Sequence, residues 1–194
     1  RPGCANFWLK AFAILPLTAG ESTPAMHVSV VAAVDSIIAS LPAGRFLSVV
    51  EVGAGTGGTA SSVLPRLRRV CEQYMFTDVS EVFLNQAQRR FAEYAGFMRF
   101  ELLNIDADPR LQGFAPRQCD VIIATNVLHA TPFMRNTLHN CEQLLQAGGM
   151  LVVNALSQGE VQWISGNAEI TVSLRGTMEE PVACLLYTSP SPRD

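Results

Sequence analysis

The sequence predicts an α/β fold, a doubly wound, mostly parallel sheet with helices on both faces. Three observations predict it. Apolar strand-like runs alternate with segments of helical periodicity between residues 26 and 153, the pattern that parallel strands joined by crossover helices produce. At least one run, Asp120-Val-Ile-Ile-Ala-Thr125, is apolar without alternation, as a strand covered on both faces should be. Polar residues then collect just after the strands, at the edge where sheets of this class bind ligands.

The elements follow in order. Met26 to Leu41 carries Val28, Val31, Val34, Ile37, Ile38 and Leu41 at helical spacing, and Pro42-Ala-Gly44 ends that helix. The first strand, Phe46-Leu-Ser-Val-Val50, runs into the turn Glu51-Val-Gly-Ala-Gly-Thr-Gly-Gly-Thr59, and a helix continues to about Val70. Tyr74 to Thr77 is the second strand and ends at Asp78. Ser80 is placed to cap a helix from Glu81 to about Tyr94, with Phe83, Leu84, Ala87 and Phe91 on one face. Met98 to Leu103 and Asp120 to Thr125 are strands three and four. Thr131-Pro132 opens a helix to about Gln146, Gly148-Gly149 closes it, and Met150 to Val153 is strand five, after which the fold is expected to be cut short.

Composition narrows the partners. The net charge is −3 and the charged residues form no basic stripe, which argues against nucleic acid. Cys4, Cys71, Cys119 and Cys141 are widely spaced, with no C-x-x-C pair, which argues against a zinc site or disulfide framework and fits a reducing cytoplasm. Phe7 to Leu17, the most apolar N-terminal stretch, is too short to span a bilayer and contains Lys10 and Pro16. The expected organisation is an N-terminal helical or lid segment over 1–44, a ligand-binding core over 45–156 and an uncertain segment over 157–183, with a hairpin about Gly166-Asn167. Residues 184–194 resemble, codon by codon, a translation of transposon-adapter DNA from sequencing libraries, so they are set apart from the fold. The chain begins at Arg1 and is read as an open-ended gene fragment.

The strand-to-glycine junction is the centre of the candidate site. Glycines there allow a sharp turn at positive φ with no Cβ to obstruct a ligand, and the following helix directs free N–H groups at it. Gly53-x-Gly55-x-x-Gly58 satisfies a dinucleotide fingerprint, while Glu51-x-Gly53-x-Gly55-x-Gly57 satisfies the motif of S-adenosylmethionine (SAM) enzymes, so the glycines alone do not choose. Glu51, Gly53, Gly55, Thr56 and Gly57 are the candidate ligand-holding residues of the turn. Asp78 lies 20 residues after Gly58, the spacing at which a carboxylate accepts ribose hydroxyls. Asn104 or Asp106, after strand three, is placed to accept from an adenine amino group. Asn126, after strand four, is a candidate for the substrate or the methionine end of SAM, or for fixing its own loop. Singly, each of these is also an ordinary cap or turn former.

Four motifs carry a family resemblance: EVGAGTGG at 51–58, FTDVSEVFLNQAQRRFAEY at 76–94, DADPRLQGF at 106–114 and ATNVLHAT at 124–131. The run from Val50 to Val153 resembles the C-methyltransferase domain of polyketide synthases. The resemblance implies a Rossmann-like class I methyltransferase fold, SAM as cofactor in place of NAD, and neighbouring synthase domains. It also implies methyl transfer to the α-carbon of a β-ketoacyl chain on an acyl carrier protein, with His129 as catalytic base. An imidazole suits that role because it titrates near working pH and the carbon between a ketone and a thioester is acidic. His27 and His139 match no functional position and are expected to face solvent.

The chain departs from the family after strand five. The family pattern places a glutamate there to pair with the histidine, whereas this chain reads Val153-Asn-Ala-Leu156. An asparagine can accept from imidazole without balancing the imidazolium charge, and an alanine cannot accept at all. An inactive pseudo-methyltransferase serving as a structural or docking module is therefore one alternative. A methyltransferase acting on oxygen or nitrogen of a small molecule is another.

Overall fold

A computed structural model describes residues 24–127, 131–132, 134–155, 159–165, 168–174 and 182–187. Helix α1 spans Pro24–Ala39, β1 Leu47–Val52, α2 Gly58–Leu67, β2 Cys71–Asp78 and α3 Glu81–Arg90. Strand β3 spans Met98–Leu102, β4 Cys119–Thr125, α4 Met134–Leu144 and β5 Leu145–Ala155. Three further strands follow: β6 Gly159–Ser165, β7 Ala168–Leu174 and β8 Val182–Tyr187.

The main sheet has the order β3-β2-β1-β4-β5-β8. The pairings β1 with β2, β1 with β4, β2 with β3 and β4 with β5 are all parallel, as the alternating sequence pattern predicts. The chain leaves β1 towards β2 on one side and later returns to lie against β1 from the other as β4. This reversal point is where such sheets open a crevice beyond their carboxyl ends.

Alternate residues of each strand feed two separate cores, which is why the strands read as continuous apolar runs. Val49, Val121, Ile123, Met150 and Val152 point to the layer of α1, α2 and α3, where they meet Val34, Ile37, Val63, Leu64, Leu67, Leu84 and Phe91. Val50, Val52, Ile122, Ala124, Leu151 and Val153 point to α4, against Leu138, Cys141 and Leu144. Each such aliphatic side chain, fully buried, stabilises the fold by about 1.5–3 kcal/mol.

Element boundaries differ from the sequence reading at two places. Helix α3 stops at Arg90, where Phe91 takes φ −103 and ψ 25, and a single 3-10 turn over Ala92–Tyr94 follows. Helix α4 stops at Leu144, so Gly148-Gly149 does not close it. Those glycines sit inside β5, in the irregular stretch between the pairs Cys119↔Leu145 and Val121↔Met150. A side chain at Gly149 would lie 3.0 Å from the carbonyls of Asp120 and Gln146, so the surrounding backbone would have to give by a few tenths of an ångström to admit one.

Beyond β5, β6 and β7 pair antiparallel with Ser165 opposite Ala168, the register expected of a hairpin about Gly166-Asn167. Strand β8 pairs antiparallel with β5, from Met150↔Tyr187 to Ala155↔Val182. It contains residues 184–187 of the segment that the sequence set apart. An open β5 edge offers a row of backbone donors and acceptors, and an apolar extended segment such as Val-Ala-Cys-Leu-Leu-Tyr suits it irrespective of origin.

Candidate functional site

Residues 51–57 leave β1 and enter α2 through three left-handed glycines, Gly53 at φ +60, Gly55 at φ +53 and Gly57 at φ +78. Their surroundings differ. A Cβ on Gly57 would lie 2.7 Å from the Phe91 ring, and one on Gly53 would run into Val127, so both are enclosed by packing. A Cβ on Gly55 would meet nothing within 4 Å. The turn is therefore clamped at its ends and open at its middle. Arg90 adds a further hold, donating to the Thr56 carbonyl at 2.8 Å.

Beneath the turn lies Glu51, 1% exposed. Its carboxylate accepts from the Tyr74 hydroxyl at 2.7 Å, and its backbone carbonyl accepts from the Thr77 hydroxyl at 2.7 Å. Burial pushes the Glu51 carboxyl up to about 8, with the nearby Asp78 charge adding and the Tyr74 hydroxyl and Ala60 amide opposing. Glu51 thus sits under the turn as a buried acid that holds its proton more tightly than an exposed carboxyl.

Asp78 ends β2 directly across from the turn. One carboxylate oxygen accepts from the Gly55 N–H at 2.9 Å, the other from the Ser80 N–H at 2.9 Å. The side chain is 6% exposed, and beside it Val79 is 69% exposed. A carboxylate, an open glycine backbone and an uncovered apolar surface together suit a nucleoside, whose ribose needs acceptors and whose base needs an apolar face. On these grounds the residues present fit a SAM-type ligand.

Asn104 and Asp106 follow β3, whose Leu102 pairs with Asp78. The Asn104 side chain accepts from the Asp106 N–H at 3.0 Å, and Asp106 accepts from the Thr137 hydroxyl at 3.0 Å. Both are exposed. Asn126 ends β4 at φ +58, and its N–H donates to the Asn154 carbonyl at 2.7 Å. Asn154 is itself fully buried. The candidate cofactor residues read from the sequence therefore lie together at the carboxyl edge of the sheet. His129 lies outside the described residues. His139 is 66% exposed on its side chain and stands 3.6 Å from Glu142.

The sequence reading missed Tyr74, the buried partner of Glu51, whose one signal was an aromatic hydroxyl in an otherwise apolar strand. It also assigned no role to Gln112 or Asn140, which hold the loop after β3. Gln112 lay within a quoted motif, and Asn140 gave only the weak signal of a polar residue on the apolar face of α4. A cavity of about 780 Å3 opens outside β3, lined by Leu84, Gln88, Phe100, Glu101, Leu102 and Gln112 among others. It includes no residue of the glycine turn, and it reaches the ligand edge only through Leu102 and Gln112.

Burial pushes the Cys71 and Cys141 thiols up to about 12 and Cys119 well above its ordinary value, so these cysteines are poor nucleophiles. Among the described residues no group of His, Cys, Asp and Glu is arranged to hold a metal. No described helix is long and apolar enough to cross a membrane.

Comparison with known proteins agrees with this geometry. Residues 50–151, a little over half of the chain, match the family described as Methyltransferase domain. The polyketide synthase ThaQ of Burkholderia thailandensis is 47% identical over 122 residues, covering 61% of this chain and 6% of that synthase. The chain spans only 2–6% of the length of the first curated relatives it matches. Among solved structures, the CurJ carbon methyltransferase superposes with a TM-score of 0.71 at 27% identity, covering 86% of this chain and 55% of that one. The trans-methyltransferase CalH, solved as a complex with SAH, superposes with a TM-score of 0.60 at 39% identity, covering 65% of this chain and 36% of that one. The chain thus belongs to the methyltransferase domain family, and within it resembles the carbon-methylating domains of polyketide synthases.

Proposed function

We propose that this domain binds SAM and transfers its methyl group to the α-carbon of a β-ketoacyl thioester, carried on an acyl carrier protein among neighbouring synthase domains. The observation that carries the reading is the glycine turn, open at Gly55 and joined there to the Asp78 carboxylate at 2.9 Å. The CalH complex with SAH, 39% identical, supports the same cofactor class. Gly53, Gly55, Thr56 and Gly57 would cradle the methionine and ribose, Asp78 would accept the ribose hydroxyls, and Asn104 with Asp106 would receive adenine. Glu51 would support the turn from beneath.

When bound, SAM supplies an electrophilic methyl on a sulfonium. His129 would take the α-proton of the thioester, and the electron pair left on that carbon would form the new carbon–carbon bond as the methyl–sulfur bond breaks, its electrons staying on sulfur and SAH leaving. Asn126, three residues earlier in the chain, would orient the substrate or the cofactor. Holding both partners in register supplies much of the remaining acceleration. The buried, unpaired Cys71, Cys119 and Cys141 support a cytoplasmic, reducing setting.

One observation favours a second reading. Near its end β5 carries the buried amide of Asn154, and a carboxylate at that end of the strand would stabilise an imidazolium better than an amide does. A non-catalytic docking module is the consequence if His129 has no such support. The test measures methylation of a β-ketoacyl thioester alongside SAH affinity. Turnover that drops about 10²–10⁴-fold in His129→Ala with SAH affinity retained is the expected result. A wild-type chain that binds SAH yet methylates no acceptor would establish the docking module. Turnover on a hydroxyl or amine acceptor in place of the thioester would exclude carbon methylation.

A further inference from the structure

The loop after β3 is held by side-chain amides from two directions. Gln112 accepts from the Asn104 N–H at 2.8 Å and donates to the Asn104 carbonyl at 2.8 Å, so one side chain satisfies both backbone groups of that residue. The same nitrogen lies 3.2 Å from the Ala107 carbonyl and 3.3 Å from that of Asp108. From the α4 side, Asn140, 7% exposed, donates to the Ile105 carbonyl at 2.7 Å and the Ala107 carbonyl at 3.2 Å. Thr137, one turn earlier on α4, donates to Asp106. Strand β3 ends at Leu102, so none of these bonds is needed to complete the sheet. Together they hold the backbone from Asn104 to Asp108, and Thr137 holds the Asp106 carboxylate itself.

A primary amide matched to both groups of a residue imitates a neighbouring strand, and a buried amide donating to two carbonyls leaves a loop few alternative conformations. We infer that Gln112 and Asn140 are positioning residues for base selection, fixing Asn104 and Asp106 so that the site distinguishes a 6-amino from a 6-oxo purine. The inference rests on the reading that this loop receives adenine. A loop free to rearrange would offer a donor or an acceptor to either base, whereas a fixed Asp106 carboxylate, which only accepts, favours the amino group and leaves an oxo group facing lone pairs, and Asn104 helps to fix it by accepting the Asp106 N–H.

The test titrates the whole chain with S-adenosylhomocysteine and with S-inosylhomocysteine, comparing the ratio of dissociation constants, while thermal melting follows folding. The wild type is expected to prefer the adenosyl ligand by at least about tenfold, and Gln112→Met or Asn140→Leu to reduce that preference about three- to tenfold. Gln112→Glu, which keeps the shape and sets a carboxylate against three carbonyls, serves if the apolar variants melt below the assay temperature. Asn104→Ala and Asp106→Ala separate the two claims. If they remove the preference and the Gln112 and Asn140 variants keep it, positioning is overturned while adenine reading stands. A wild type without preference, or one whose preference survives loss of Asn104 and Asp106, overturns both.

Discussion

At Gly55 and Gly57 the same residue type serves two different purposes, and substitution should separate them. Gly57 is at φ +78 with the Phe91 ring 2.7 Å from where a Cβ would stand. Gly57→Ala should therefore lower stability by about 2–3 kcal/mol through strain and overpacking. Gly55, at φ +53 but with open space around it, should cost only about 1 kcal/mol as alanine. Its new methyl would instead occupy the ligand face, so SAH affinity should fall at least about tenfold. Chemical denaturation and calorimetric titration of the two variants check this; equal effects on both readouts would refute the distinction. Glu51 gives a pH prediction. Its folded value of about 8 lies above the ordinary 4.5, so the folded chain keeps a proton that the unfolded chain releases. That contribution to stability is complete below about 4.5 and is lost as pH rises through 8. Melting scans from pH 5 to 8.5 should show a steeper decline for the wild type than for Glu51→Gln. In the sequence the places of Glu51, the glycines and Asp78 at the strand ends were legible from their spacing, whereas the contact with Tyr74 was not, since a buried hydroxyl meets its partner only through the pairing of β1 with β2.

Among the elements, the start of β4 shows how the sheet is fixed at the end opposite the ligand. Asp120 accepts from the Ser48 N–H at 2.8 Å, forms an ion pair with Arg45 at 2.6 Å and accepts from Gln146. It joins β1, β4 and the beginning of β5. Asp120→Ala should destabilise the domain by about 1–3 kcal/mol, mostly through the orphaned Ser48 amide, with SAH affinity of the folded fraction unchanged. Urea unfolding with and without SAH measures both. The five parallel strands were legible because their apolar runs report burial on two faces. The irregular start of β5 was not, because Gly148-Gly149 reads equally well as a helix stop, and it is the neighbouring backbone at Asp120 that shows why glycine is favoured there.

For the whole molecule, the ligand edge joins two layers that lie on opposite faces of the sheet. The glycine turn and Asp78 border the layer of α1, α2 and α3, while the loop of Asn104 and Asp106 is tied to α4 by Thr137 and Asn140. A ligand spanning them should stabilise the fold as one unit. At a hundredfold excess over its dissociation constant, SAH should add about 2.7 kcal/mol, read as a single shifted transition in calorimetry. Two transitions that shift unequally would show the layers to unfold separately. The layered architecture was legible at this scale, since alternation alone predicts it, but the strands beyond β5 lay past the point where the family motifs end.

The bonds of Asp78 have a consequence in time. Both carboxylate oxygens already receive backbone amides, from Gly55 and from Ser80, so the turn keeps its shape without help from a ligand. The ordering entropy of that segment is met during folding, and arrival of a ligand needs no slow rearrangement there. Association should then run at the ordinary rate of docking to a prepared site, and substitutions along this edge should act mainly by shortening the residence time of the bound ligand.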